Sequence, residues 1–135
     1  MVACSHGGAA VPPKGWQAVP GAVTTWTTGS GANRQQYAYV RAQFGGTLQD
    51  LASAVTIDVL LHYRAARLKE SVPFPPCPGA AGVATFTLPN GLTLQDGFTV
   101  RNGQSVRTSY IRPSGQPVDP NVTDAMQSAL CITPG

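Results

Sequence analysis

The sequence predicts an α+β fold in which a long central helix and a C-terminal helix pack on a mainly antiparallel sheet. Two observations lead to this prediction. The longest stretch without glycine or proline lies in the middle of the chain and separates two strand-rich halves. Within each half, short β-branched and aromatic runs are separated by tight turn signals such as Asn-Gly, which favour hairpins and therefore antiparallel pairing.

Two strands are predicted before the central helix. Residues 22–28 are rich in β-branched and aromatic residues, and residues 35–44 alternate between two faces, which is the clearest period-two pattern in the chain. The glycine-containing segment between them is a turn, so the two strands form a hairpin.

The central helix is predicted from Thr47 to Glu70. Thr47 and Asp50 have the spacing of a capping box, with aspartate in place of the usual glutamate. An apolar stripe at helical spacing follows and ends on His62. The β-branched residues in its middle would also suit a strand, but the length and the proline-rich end at Pro73 favour a helix.

Four strands and a second helix follow a proline-rich connector. The strands are predicted at residues 83–88, 92–96, 98–101 and 105–111. Asp119 can cap a final helix over residues 120–130, because Pro120 is well suited to its first position. We expect this helix to turn five residues inward: Val122, Ala125, Met126, Ala129 and Leu130.

Composition predicts a single domain outside the cytoplasm. Residues 1–14, which include the pair Pro12-Pro13, are predicted to be a flexible tether. Residues 15–135 are predicted to form one domain, because 42% of the chain is hydrophobic and this is enough to build a core. Only 11% of the residues are charged, against about 25% in an average protein. The net charge of +3 is scattered, so no basic cluster for nucleic-acid binding is present.

The three cysteines also favour a location outside the cytoplasm. Cys77 and Cys131 lie at the ends of predicted elements without a CxxC pattern or a nearby histidine, which favours a disulfide over a metal or catalytic site. Ala3-Cys4 looks like the end of a bacterial lipobox, so Cys4 is predicted to carry a lipid anchor, the alternative being an ordinary free cysteine. The domain would then be periplasmic, membrane-anchored or secreted, and would meet the membrane only through that anchor.

Few residues are available for catalysis. The one histidine within the domain, His62, lies one helical turn from Asp58, and this is the only acid–histidine pair that the sequence provides. A structural histidine is the simpler interpretation. No phosphate loop, zinc spacing or GxSxG motif is present, so no catalytic residue, metal or cofactor is predicted. The grouping to test as a binding surface is Tyr37, Tyr39 and Arg41, which share one strand face, although packing in the core or on the sheet face is the simpler interpretation for the aromatic residues.

The order of elements resembles the PsbP-like family, which includes small bacterial lipoproteins of the LpqN type. The resemblance covers roughly residues 15–132: a Gly-Trp opening, an early hairpin, a middle helix, further hairpins, and a terminal helix after RPSGQPVDPNV. It implies an α/β/α sandwich and a non-enzymatic accessory or binding role at a membrane surface, and it carries over no functional residues. We therefore expect a non-catalytic envelope or secreted domain that binds a protein partner or a small ligand. The alternatives are a small secreted hydrolase that uses His62 with a carboxylate, and a purely structural interaction module.

Overall fold

The computed structural model describes residues 10–131 and contains a seven-stranded antiparallel sheet and two α-helices. The elements in chain order are β1 (Gln17–Ala18), β2 (Thr25–Thr28), β3 (Gln35–Gln43), α1 (Leu48–His62), β4 (Arg67–Pro73), β5 (Ala81–Leu88), β6 (Leu92–Arg101), β7 (Gln104–Pro113) and α2 (Pro120–Leu130). The strand order across the sheet is β1-β2-β3-β7-β6-β5-β4. The predicted α+β class is confirmed. Cys4 and most of the predicted tether lie outside the described residues, whereas Pro13 is buried against the fold.

The two helices cover opposite faces of the sheet. α1 packs through Leu51, Val55 and Val59 on a cluster that includes Phe86, Leu94 and Phe98. α2 packs through its five predicted inward residues on a second cluster, which includes Tyr37, Val83, Val106 and Tyr110. Because side chains alternate along each strand, the neighbouring residues Val83 and Ala84 of β5 belong to different clusters. The molecule therefore has two separate cores, one on each side of the sheet.

Both helix starts are formed as predicted. The backbone N–H of Thr47 donates to Asp50 Oδ2 at 2.9 Å, and the Asp50 N–H donates to Thr47 Oγ1 at 3.1 Å, which completes the capping box. At the second helix, Asp119 Oδ1 accepts a bond from the backbone N–H of Asn121 at 2.8 Å, and Pro120 occupies the first turn. These two starts are set by residues within three positions of one another.

The end predicted for the central helix is wrong. The helix stops at His62, a turn follows in which Ala65 has a φ of +61°, and residues 67–73 form β4 instead of the last helical turns. β4 pairs antiparallel with β5, whose four residues from Ala81 to Ala84 are all buried. Without β4, this apolar strand would leave its backbone groups unpaired at the sheet edge. Long-range pairing therefore outweighs the local preference for helix.

The two strands predicted at residues 92–96 and 98–101 are one strand, β6. Gly97 lies at their junction, where a glycine suggested a break. A Cβ atom at Gly97 would lie 2.5 Å from Cδ1 of Leu130 and 2.8 Å from Cε of Met126. The missing side chain therefore allows α2 to approach the strand closely.

Cys77 and Cys131 meet where the end of α2 crosses the connector between β4 and β5. Their sulfur atoms are 2.06 Å apart and their Cα atoms are 5.5 Å apart. This geometry is compatible with the predicted disulfide, which would hold the last turn of α2 on the sheet.

Candidate functional site

The structure places two of the three predicted surface residues in the core. Tyr37 and Tyr39 are 0% and 7% exposed, because they belong to the same core cluster as the inward residues of α2, and only Arg41 is exposed. The ring of Trp26 stacks on Tyr37 at a centroid distance of 6.0 Å. Burial raises the pKa of both tyrosines above the ordinary phenol value. The predicted binding surface is therefore wrong for the two tyrosines, and the alternative of core packing is the one that the structure shows.

The predicted pair of Asp58 and His62 belongs to a larger polar cluster. Nδ1 of His62 lies 3.0 Å from Asp58 Oδ1 and 2.9 Å from the backbone oxygen of Asp58. The other carboxylate oxygen of Asp58 accepts a bond of 2.6 Å from Nη1 of Arg107 on β7. The same guanidinium donates from Nε and Nη2 to Oδ2 of Asp96 on β6, at 3.0 and 2.6 Å. The cluster therefore joins α1 to two neighbouring strands.

Burial dominates the electrostatics of this cluster. Asp96 is 0% exposed, and burial raises its pKa, although the charge of Arg107 and hydrogen bonds from Arg107 and Ser109 act in the opposite direction. Burial by itself lowers the pKa of Arg107, but the carboxylates of Asp96 and Asp58 outweigh it, so that this pKa is raised. The pKa of the Tyr63 phenol is raised as well, first by burial and then by the charge of Asp96. The guanidinium therefore remains charged and compensates the buried carboxylate.

The geometry of the cluster is that of a structural link between helix and sheet. The side chain of His62 is 70% exposed, and within residues 10–131 its hydrogen bonds run only to Asp58. A catalytic base needs a nucleophile within about 3 Å, and no hydroxyl or thiol of the described residues is bonded to this imidazole. Asp58 is itself engaged by Arg107, which fixes its carboxylate in place.

Sequence reasoning missed Asp96 and Arg107. One signal was available, because Asp96 has the same strand phase as Leu94 and Phe98 and so had to face the core. A carboxylate at such a position requires a cationic or hydrogen-bonding partner. The identity of that partner depends on the register of β6 against β7, which no local pattern gives.

An apolar groove lies between the first turns of α1 and the sheet edge at β4. Its volume is about 500 Å³. The apolar part of its lining consists of Leu48, Ala52, Val72, Pro73, Ala81 and Phe98. Towards the middle of α1 the groove continues into a more polar depression, which shares Gln49, Ala52 and Ser71 and adds Ser53, Thr56 and Ile57. Its length and mixed lining suit an elongated ligand with an apolar part and a polar part.

Gly82 shapes the apolar end of this groove. It is the cross-strand partner of Phe98, and a Cβ atom at Gly82 would lie 2.7 Å from Cε1 of that ring. The ring therefore lies over the backbone of β5 and remains 2% exposed. Any larger residue at position 82 would push the ring away from the strand and into the groove.

Other kinds of site are not indicated in the part of the chain that the structure describes. No three histidine, cysteine, aspartate or glutamate side chains there are close enough together to hold a metal ion. No helix between residues 10 and 131 has the length and apolar character needed to cross a membrane.

The chain matches no protein-family model, and no curated protein is significantly similar to it in sequence. Functional inference therefore starts from the groove, the polar cluster and the exposed surface of the chain itself.

Proposed function

We propose that the protein is a non-catalytic binding domain that acts outside the cytoplasm and binds an elongated ligand, mainly apolar with a polar part, in the groove between α1 and β4. The observation that carries this proposal is the groove, which combines a volume of about 500 Å³ with a mainly apolar lining. Ligand sites in proteins are typically concave and apolar with a few polar groups, and here Gln49 and Ser71 supply such groups.

The compartment is proposed from the cysteines. A disulfide between Cys77 and Cys131 is compatible with an oxidising environment, and a lipid anchor at Cys4 would hold the domain at the outer side of a membrane. Membership of the PsbP-like lipoproteins, with their α/β/α sandwich, is part of the same proposal and rests on the order of the elements. Either a small molecule or a segment of an envelope protein fits this setting.

The polar cluster favours a binding domain over the alternative of a hydrolase. Asp58, which would orient His62, is held by Arg107 at 2.6 Å and serves the packing of α1 on the sheet. A His62→Ala variant should therefore leave ligand binding unchanged. Loss of a hydrolytic activity in this variant would favour the hydrolase instead.

The groove can be tested with N-phenyl-1-naphthylamine, an uncharged dye that fluoresces in apolar surroundings. We expect saturable binding of one dye per chain. Ala52→Trp should abolish it, because an indole at this lining position fills the groove. Ala54→Trp is the matched control, since Ala54 lies on the same helix, is exposed and does not line the groove.

Two results would contradict the groove as the site. One is dye binding by Ala52→Trp with the affinity of the wild type. The other is loss of binding on substitution of Leu61, which is exposed on α1 and lies outside the groove lining. Circular dichroism of each variant confirms that the fold is retained.

A further inference from the structure

The outer surface of α1 carries exposed apolar side chains near its C-terminal end. Ile57, Leu60 and Leu61 are 59%, 46% and 79% exposed. Leu68 on β4 is 44% exposed, and it pairs with Phe86, which belongs to the core beneath α1, so that Leu68 lies on the same side of the sheet. We call these four exposed residues the α1 patch. α1 is therefore apolar on its outer side as well as its buried side, which is typical of a helix that is covered by something else.

Cations border the α1 patch. Residues 60–69 contain Arg64, Arg67 and Lys69, and the nearest acids in the chain are Asp58 and Glu70. Asp58 is bonded to Arg107. Arg67 and Glu70 pair with residues that alternate with Phe86, so they face the other side of the sheet and leave Arg64 and Lys69 beside the patch. The side chains of Arg64, Arg67 and Lys69 are all exposed, and none of them is in an ion pair within residues 10–131. Covering the patch with a second copy of the chain would bring these like charges together. An anionic surface would instead neutralise them.

This combination of side chains suits the interface of an anionic bilayer. Exposed leucines gain free energy by entering the boundary between headgroups and acyl chains. Arginine and lysine stems lie along the apolar surface while their charged ends reach the lipid phosphates. Arg64 lies in the turn directly after α1, and Lys69 is the additional residue of a bulge in β4, so both are close to the leucines along the chain.

We propose that the α1 patch docks on an anionic lipid surface, with Leu60 and Leu61 at the acyl boundary and Arg64 and Lys69 on the headgroup phosphates. This contact is separate from a lipid anchor at Cys4, and it holds the domain against the bilayer instead of at the end of a tether. The residues assigned to the lipid contact, Leu60, Leu61, Arg64 and Lys69, do not line the groove or its polar continuation, which the patch meets only at Ile57.

Vesicle sedimentation tests the proposal. The full chain, without lipid on Cys4, is mixed with vesicles of phosphatidylcholine and phosphatidylglycerol, and separately with vesicles of phosphatidylcholine alone. We expect binding to the anionic vesicles, weakened by added salt.

Leu61→Asp should weaken binding to the anionic vesicles at least about tenfold, and Arg64→Gln should weaken it about fivefold. Val23→Asp is the matched control, since Val23 is 86% exposed and lies in the loop before β2, so its substitution should leave binding unchanged.

Several results would overturn this inference. Equal binding to both kinds of vesicle would remove the role of the cations, and unchanged binding by Leu61→Asp would remove the role of the leucines. Sedimentation velocity without lipid tests for dimers. If the wild type is dimeric and Leu61→Asp is monomeric, the patch is an interface between protein chains. Dye binding in the groove should be the same in Leu61→Asp and the wild type, so the two proposals fail separately.

Discussion

Replacing Arg107 with methionine removes the cation between Asp96 and Asp58 while keeping most of the apolar stem. Asp96 is 0% exposed, and Arg107 makes two of its hydrogen bonds, at 3.0 and 2.6 Å. Breaking a buried ion pair from one side typically lowers the free energy of unfolding by about 3–5 kcal/mol, because a buried charge is left uncompensated. The Arg107 side chain is 23% exposed, so water reaches the site, and we expect the low end, about 3 kcal/mol at neutral pH.

The effect of Arg107→Met should depend on pH in a defined direction. In the wild type, burial raises the pKa of Asp96 above its ordinary value of 3.8 in spite of Arg107, and loss of the cation raises it further. Below pH 3.8 the carboxyl is protonated in both the folded and the unfolded chain, and no charge is buried. As the pH rises, the unfolded chain ionises first, and the free energy of unfolding falls until the folded pKa is passed. In acid the variant loses the hydrogen bonds of Arg107 but leaves no charge buried, so the free energy of unfolding should fall by only about 1 kcal/mol.

Urea unfolding, followed by the fluorescence of Trp16 and Trp26 with the cysteines oxidised, measures the loss in free energy of unfolding at neutral pH and in acid. Arg41→Met is the matched control, because Arg41 is exposed on the neighbouring strand and should change the free energy by no more than about 0.5 kcal/mol. Adding Asp96→Asn to the Arg107 variant should recover part of the loss by removing the buried charge. A loss below about 1 kcal/mol at neutral pH, or equal losses at both pH values, would refute this account of the cluster.

Three further predictions concern stability. Cys77→Ser with Cys131→Ser should lower the free energy of unfolding by roughly 4 kcal/mol in urea, because the cysteines are 54 residues apart in sequence; reduced wild type should match this variant. Gly97→Ala should destabilise the chain by about 1–3 kcal/mol in thermal unfolding, since the new Cβ meets α2, and an unchanged midpoint would contradict the close packing. Ala65→Gly should raise the free energy of unfolding by about 0.5 kcal/mol, because glycine adopts the φ of +61° at this turn without strain. The control Ala54→Gly, within α1, should lower it by about 1 kcal/mol. Equal urea midpoints for these two variants would argue against strain at the turn.

Features that depend on neighbouring residues could be predicted from the sequence. Both helix starts, at Thr47 and Asp119, are set by side chains that bond to backbone groups within three positions. The same holds for β3, whose alternation is visible locally, and for the inward face of α2, which follows from helical spacing. The α+β class follows from these elements and from the turns between them.

The candidate sites depend on contacts between residues that are distant in sequence. The alternation of β3 gave two faces, but only the packing of α2, Trp26 and the neighbouring strands decided that Tyr37 and Tyr39 lie in the core. The register of β6 against β7 decided that Arg107 would reach Asp96, and the groove exists because α1 stops early enough for β4 to close the sheet edge beside it.

The sequence by itself therefore determined the helix starts, most of the strands, and the cysteine pair that can meet. The tertiary structure decided where α1 ends, which faces are buried, and which residues line the groove and form the α1 patch. The physical reason is the range of the interactions. Caps and periodic patterns act over a few residues, whereas strand pairing and helix packing join segments far apart in the chain, and their free energy outweighs a local preference when the two conflict.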